Sequence, residues 1–419
     1  MPCLRRSPGP LAAGQCHSQR GMEGASMGRF HPKTFAQPDL LKSIQPQNLI
    51  RLLEPCRDLL ESHGLSLPRE GGPEVDYLDI NGVLASPTEW MDSHVVEGLH
   101  VIGSLGTNEN FDELLDIARR NSIDAGMDAT AADLAARIWI EAPQALEMKQ
   151  GETASQGSRK FESFRAREPQ NVLPGQLPIE FSALETELEA WFVAEQRGVG
   201  CRVIRIDLPS EVQFMVQHGQ MWKREPSRRG LQSACASFRP ERTDLVIYDV
   251  RNSELRISAG PIGQMRLYSE MFGKHIFGDP EMFVYARKYT LTPLQTLGSA
   301  ALYSRDVTGV EWVRLTEIEY AWSSTLEYTE RHTAEDVFMA MELTRRGIET
   351  EAQLQHACFA VKLAGETYPW PLVIQPPNVA EYGRGEEAAV IEQWLRARGF
   401  VLTGSAVDDE DSSPFMAVA

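Results

Sequence analysis

Leu49, Ile50, Leu52, Leu53, Leu59 and Leu60 recur at three- and four-residue spacing, the period of one apolar helix face, and Gly64 closes the run as a C-terminal cap. The same period predicts helices over 77–84 and 88–105, the second with Ser86, Pro87 and Glu89 as a capping box. Thr107 or Asn108 opens another, which carries Phe111, Leu114, Leu115, Ile117 and Ala118. Thr130 caps a helix through Trp139, and Pro143 starts a short one through Leu146. Short helices with brief connections predict an all-α domain over residues 37–150.

Residues 151–178 break the period. Gly151, Ser155, Gly157, Ser158, Pro169, Pro174, Gly175 and Pro178 predict a linker, within which Phe161 and Phe164 would dock on a neighbouring domain. A helix over 181–196 follows, and then the period changes to two. Strands are predicted over 203–206 and 211–216 around the turn Pro209-Ser210, over 221–224 and 233–238, and over 245–248 and 255–257 around Arg251-Asn252-Ser253. A helix follows over Ile262–Phe277. Strands return over 310–322, 325–332, 358–363 and 372–374, with helices over 336–343 and 386–398. The order predicts an α+β domain over 179–402 in which helices pack on antiparallel β-hairpins, not alternating β-α-β units. Several strands followed by a helix occur twice, over 201–277 and 310–399, the trace that an internal duplication leaves. Residues 1–28 and the acidic tail 403–419, with Asp408, Asp409, Glu410 and Asp411, are expected to be disordered.

Charge narrows the classes of partner. The chain has 419 residues and a net charge of −18, and residues 37–150 hold 8 basic against 20 acidic residues. Such a chain repels phosphate backbones at long range, so nucleic acid could bind only through a local basic patch. No apolar run approaches the ~18–20 residues of a membrane helix. The six cysteines lack C-x2-C pairing and are read as isolated thiols, Cys201, Cys235 and Cys358 in buried apolar strands. This reading expects a reducing, cytoplasmic setting and neither metal nor cofactor. Walker A, nucleophile-elbow and H-E-x-x-H patterns are absent.

Three constellations remain. In residues 220–242, Lys223, Arg224, Arg228, Arg229, Arg239 and Arg242 face only Glu225 and Glu241, with Trp222 and Phe238 interleaved. Cations beside aromatic faces suit an anionic partner, and Arg228-Arg229-Gly230 would form the loop of a hairpin. Next, Asp244 before Leu-Val-Ile-Tyr, Glu254 on the following strand, and Gln264 with Tyr268 on the following helix resemble the spacing in restriction-endonuclease-like nucleases. Arg256 stands where that pattern has Lys, and Arg cannot deprotonate to act as a base. The third is a long strand on which Glu317 and Glu319 would share one face, with Trp312, Tyr320 and Trp322 on the other. The expected function is a soluble, non-catalytic interaction or regulatory protein with a protein partner. The alternative is a divergent phosphodiesterase or nucleic-acid-binding protein using Asp244, Glu254, Gln264, Tyr268 and the basic hairpin.

Overall fold

Apolar alternation along the second part of the chain builds one antiparallel sheet of eleven strands, ordered β10-β9-β11-β12-β13-β1-β7-β6-β3-β2 with β8 also on β1. In chain order these are β1 (Arg159–Ala166), β2 (Arg202–Asp207), β3 (Glu211–Gly219), β6 (Glu241–Asp249), β7 (Glu254–Ser258), β8 (Phe283–Tyr285), β9 (Val310–Ser323), β10 (Tyr328–Thr333), β11 (Gln353–Leu363), β12 (Trp370–Gln375) and β13 (Val379–Tyr382). Between β3 and β6, β4 (Lys223–Arg229) and β5 (Gln232–Phe238) pair only with each other among the described residues. The computed structural model describes residues 37–68, 76–85, 91–156, 159–169, 177, 179–208, 210–229, 231–323, 328–383 and 387–402. The two expected disordered ends and the Ser86–Glu89 capping box lie outside these residues.

Helices and antiparallel sheet together make the chain α+β. Before β1 come α1 (Pro38–Ser43), α2 (Pro46–Leu53), α3 (Arg57–Ser62), α4 (Tyr77–Leu84), α5 (Ser93–Leu105), α6 (Phe111–Arg120), α7 (Ala131–Glu141) and α8 (Pro143–Gln156). They enclose one cluster of buried residues from Leu41 to Leu146. Asp92, not Ser86, caps α5, accepting from the amides of His94 and Val95. Thr130 caps α7 by accepting from the Asp133 amide. The buried Asp133 carboxylate accepts in turn from the Gln45 amide at 2.8 Å, Asn48 Nδ2 at 2.7 Å and Arg137 Nε at 3.0 Å. This ties α7 to the start of α2 and satisfies a charge that would otherwise be costly to bury.

α5 and α7 approach closely because residue 98 has no side chain. A Cβ there would stand 2.3 Å from Trp139 Nε1. Gly98→Ala is therefore expected to destabilise the protein by ~1–3 kcal/mol through overpacking, read as a lower melting temperature with unchanged near-native helix content.

Part of the expected linker, residues 151–156 and 159–166, is regular structure, while 157–158, 170–176 and 178 lie outside the described residues. Residues 151–156 finish α8, and 159–166 are β1, the strand on which the two parts of the sheet meet. β1 pairs with β13 from Arg159 to Glu162, with β7 from Glu162 to Arg165, and with β8 from Phe164 to Ala166. Where the partner changes from β13 to β8, the buried Asn378 side chain completes the ladder. Its Oδ1 accepts from the Ser163 amide and its Nδ2 donates to the Ser163 carbonyl, each at 2.8 Å.

Helical cover changes sides at β1. α9 (Phe181–Ala194) and α10 (Ile262–Phe277) pack on the face bearing Val212, Phe214, Val216, Val246, Tyr248, Leu255 and Ile257. After α11 (Thr292–Leu297) and α12 (Val337–Leu343), α13 (Glu387–Ala397) brings Ile391, Trp394 and Leu395 to the face of Leu372, Ile374 and Ala380. Residues paired directly across strands share a face, and the row Ile374, Ala380, Phe161 is continuous. α13 thus lies on the side of Phe161, opposite α9 and α10. On that same side α8 comes close to Met215, where a Cβ on Gly151 would be 3.0 Å from the thioether.

Candidate functional site

Asp244 on β6, His218 on β3, and Gln264 and Tyr268 on α10 converge under α9. Strand parity aims Asp244 and His218 at the helix-covered face, and a spacing of four puts Gln264 and Tyr268 on the same side of α10. Asp244 Oδ2 accepts from the Tyr268 hydroxyl at 2.9 Å and from Gln264 Nε2, and lies 2.9 Å from His218 Nε2. Its Oδ1 accepts from Arg242 Nε at 2.7 Å. The Gln264 amide is oriented by Arg197, whose Nη1 donates to Gln264 Oε1 at 2.8 Å. The Phe192 ring stacks on His218 at 4.1 Å and closes the site from above.

Burial alone would raise the Asp244 carboxyl. The hydrogen bond and charge of His218 and the charge of Arg242 outweigh it and hold the group below its ordinary range. Tyr268 is pushed well up, first by burial and then by the Asp244 charge. The sequence-predicted trio of Asp244, Gln264 and Tyr268 is therefore brought together, with His218, Arg242 and Arg197 added. Both oxygens of Asp244 are engaged by donors, and only 1% of the residue is exposed. Three donors crowd Oδ2 and one engages Oδ1, so little of this carboxylate is open to a cation or water.

Glu254 does not join them. Asp249 is five residues beyond Asp244 on β6, so it faces the other side, and Glu254 pairs directly with Asp249. Glu254 instead accepts from Lys288 Nζ at 2.5 Å and Ser163 Oγ at 3.3 Å. Next to it the buried Arg256 guanidinium reaches Glu211 at 2.7 Å, Glu392 of α13 at 3.3 Å and Asp249 at 3.5 Å. Burial opposes the charge on Arg256, but Glu392, Glu211 and Glu254 more than reverse this and raise its pKa. Hydrolysis at a metal needs carboxylates clustered around the ion. Here the acids gather around an arginine, on the face opposite Asp244.

The basic stretch divides in two. Arg239 and Arg242 are anchors: Arg239 Nη1 donates to the carbonyls of Gln196 and Gln220 at 2.7 and 2.9 Å with its guanidinium 5.4 Å above the Trp222 ring, and Arg242 holds Asp244. Lys223, Arg224 and Arg228 are exposed on the β4–β5 ribbon and make no ion pair with any described residue. Arg224 and Arg228 share one face with Pro226, Ser233, Cys235 and Ser237, while Lys223 shares the other with Phe238. The Arg229 side chain lies outside the described residues. Trp222 is 64% exposed.

On β9 the expected facing is corrected. The register with β11 shifts so that Cys358 opposes Glu317 and Phe359 opposes Leu315, leaving Thr316 as the extra residue of a bulge. This inverts parity midway. Trp312 and Arg314 therefore share the face of Glu317 and Glu319, while Val313, Leu315, Ile318 and Tyr320 are buried on the other. Cys358, expected to be an isolated buried thiol, has His356 two residues before it on the same face, and Glu317 opposite. The i, i+2 spacing was visible in the sequence; the approach of β9 was not. Burial pushes the His356 imidazole below its ordinary value, against the pull of Glu317.

No known family model matches the chain, and no curated protein matches it.

Proposed function

We propose that the protein is a non-catalytic interaction protein that holds an anionic protein partner on the ribbon formed by β4 and β5. The supporting observation is the exposure of this ribbon on both faces, with Lys223, Arg224 and Arg228 turned to solvent. A two-stranded hairpin alone is marginally stable in water. Arg239, by clamping Gln196 to Gln220, fixes its base to the rest of the protein. Trp222 and Phe238 at the base add apolar area next to the cations, the composition favoured at protein interfaces. The proposal takes the cytoplasm as its setting, on the isolated cysteine spacing, and reads 37–150 as an all-α domain. It also reads the two strands-then-helix runs, 201–277 and 310–399, as a duplication, each run contributing to a buried cluster of its own. Among the described residues no helix is long and apolar enough to cross a membrane.

The phosphodiesterase alternative is less favoured because Asp244 is buried with donors on both oxygens and Glu254 faces away from it. The test is capture of partners from the native host by the full chain and by a Lys223→Ala, Arg224→Ala, Arg228→Ala, Arg229→Ala variant. Loss of a specific acidic protein, with unchanged melting temperature, is the expected result. Retention of every partner would overturn the proposal. Capture of nucleic acid instead, with a salt slope falling by ~0.7–0.9 for each phosphate contact removed, would select the alternative.

A further inference from the structure

We propose that Glu317, His356 and Cys358 form a binding site for a divalent metal ion of the zinc class on the sheet face not covered by α13. One ligand atom from each residue lies within 4.8 Å of those of the other two. Glu317 Oε1 is 3.3 Å from His356 Nδ1, and His356 Nε2 is 3.8 Å from Cys358 Sγ. Tetrahedral zinc bonds of ~2.0–2.3 Å place neighbouring ligand atoms ~3.3–3.7 Å apart. Side-chain rotation therefore suffices to close the trio on an ion. The imidazole lies between its neighbours, and turning about its Cβ–Cγ bond presents either nitrogen. Nδ1 is buried and makes no hydrogen bond despite the carboxylate beside it.

The backbone supports this geometry. His356 and Cys358 stand two apart on β11, so both project to one side, and Glu317 is directly across from Cys358 on β9. Register shifts bracket the pair, one between Leu354 and His356 and one between Cys358 and Phe359. Bulges of this kind re-aim side chains. Thr316, the residue left over at the second, donates its hydroxyl to the Cys358 carbonyl at 3.1 Å and pins the bend. Around the site Arg331 gives two N–H groups to Glu319 at 2.5 and 2.8 Å and lies 3.3 Å from Glu317. With the thiol ionised, Glu317, Glu319 and the thiolate outnumber Arg331 and the more distant Lys160, a local negative excess that a divalent ion would offset. A thiolate and an imidazole with one carboxylate favour zinc over magnesium or calcium, which prefer oxygen alone. Three protein ligands leave the fourth position open on the side away from the sheet.

The test uses the full-length chain and titrates Co2+, whose bond to a thiolate gives a near-ultraviolet charge-transfer band. The expected result is one equivalent bound with that band present, and its displacement by Zn2+. The band should vanish in Cys358→Ser, and affinity should fall at least tenfold in His356→Ala and Glu317→Gln. Zinc at a hundredfold excess over its dissociation constant should raise the melting temperature by a few degrees. Cys358→Ser changes a single atom and keeps the fold, so its spectrum decides the question even if His356→Ala unfolds. Absence of the band in the unaltered protein would overturn the proposal. So would its persistence in Cys358→Ser, which would assign the metal to another thiol such as the exposed Cys235.

Discussion

Arg256→Ala is expected to lower stability by ~3–5 kcal/mol, the cost of leaving buried charges without their partner. Three elements of the first part of the sheet send carboxylates to this guanidinium: Glu211 from β3, Asp249 from the end of β6 and Glu254 from β7. α13 adds Glu392 from the other part. Removing the cation leaves four acids near one another, with Lys288 still beside Glu254 and Arg396 beside Glu392. At neutral pH the variant should melt ~6–20 °C below the parent, at ~2–4 °C per kcal/mol for a cooperative unit of ~150–250 residues. Arg256→Lys should recover only part of the loss, because one ammonium cannot meet carboxylates on several sides as a planar guanidinium does. Adding Glu392→Gln to Arg256→Ala should restore some stability by removing one of the carboxylates that then repel one another. If Arg256→Ala melts with the parent, the cluster is solvated and the tie between the two parts of the sheet is not electrostatic.

Local pattern made much of this fold legible. The helix period of Leu49 to Leu60, the Thr130 cap, the hairpin joining β6 to β7 and the whole of α10 depend on neighbours in sequence, and each is found. β1 was not legible. Its partners lie far along the chain, Asn378 being 215 residues from Ser163, and its flanking Gly and Pro residues suggest a linker. Parity does for the site what propensity cannot. Counting from Asp244 to Asp249 already separates Glu254 from Asp244, so the nuclease-like spacing could have been rejected once the hairpin register was known. The bulge at Thr316 has no sequence signature, and with it the facing of Trp312 was lost. His218 and Arg197 were missed because buried donors are indistinguishable, in sequence, from scattered polar residues. The convergence of Asp244, Gln264 and Tyr268 follows from one strand, one turn and one helix, which is why their spacing is informative.

Asp244→Ala tests whether that convergence is architecture. The substitution leaves His218, Arg242, Gln264 and Tyr268 without their common acceptor in a site closed by Phe192. Unpartnered buried donors and a stranded guanidinium predict a loss of ~3–5 kcal/mol. A residue kept for catalysis would behave differently, since its removal abolishes activity and leaves the fold intact or more stable. Acid titration gives an independent reading. The folded Asp244 carboxyl lies below its ordinary value, so its stabilisation is fully present above the unfolded value of ~3.9 and is lost as pH falls through the lower folded value. Glu162 has the opposite sign. Burial raises its pKa, so its ionised form costs stability that is regained as pH falls toward ~4.3. The parent should therefore keep or gain stability on acidification to about pH 4 and lose it below, whereas Asp244→Asn should start lower at neutral pH and show a shallower acid limb. An acid limb of equal slope in both proteins would place the titrating group elsewhere, and Asp244 would then owe its position to packing instead of to charge.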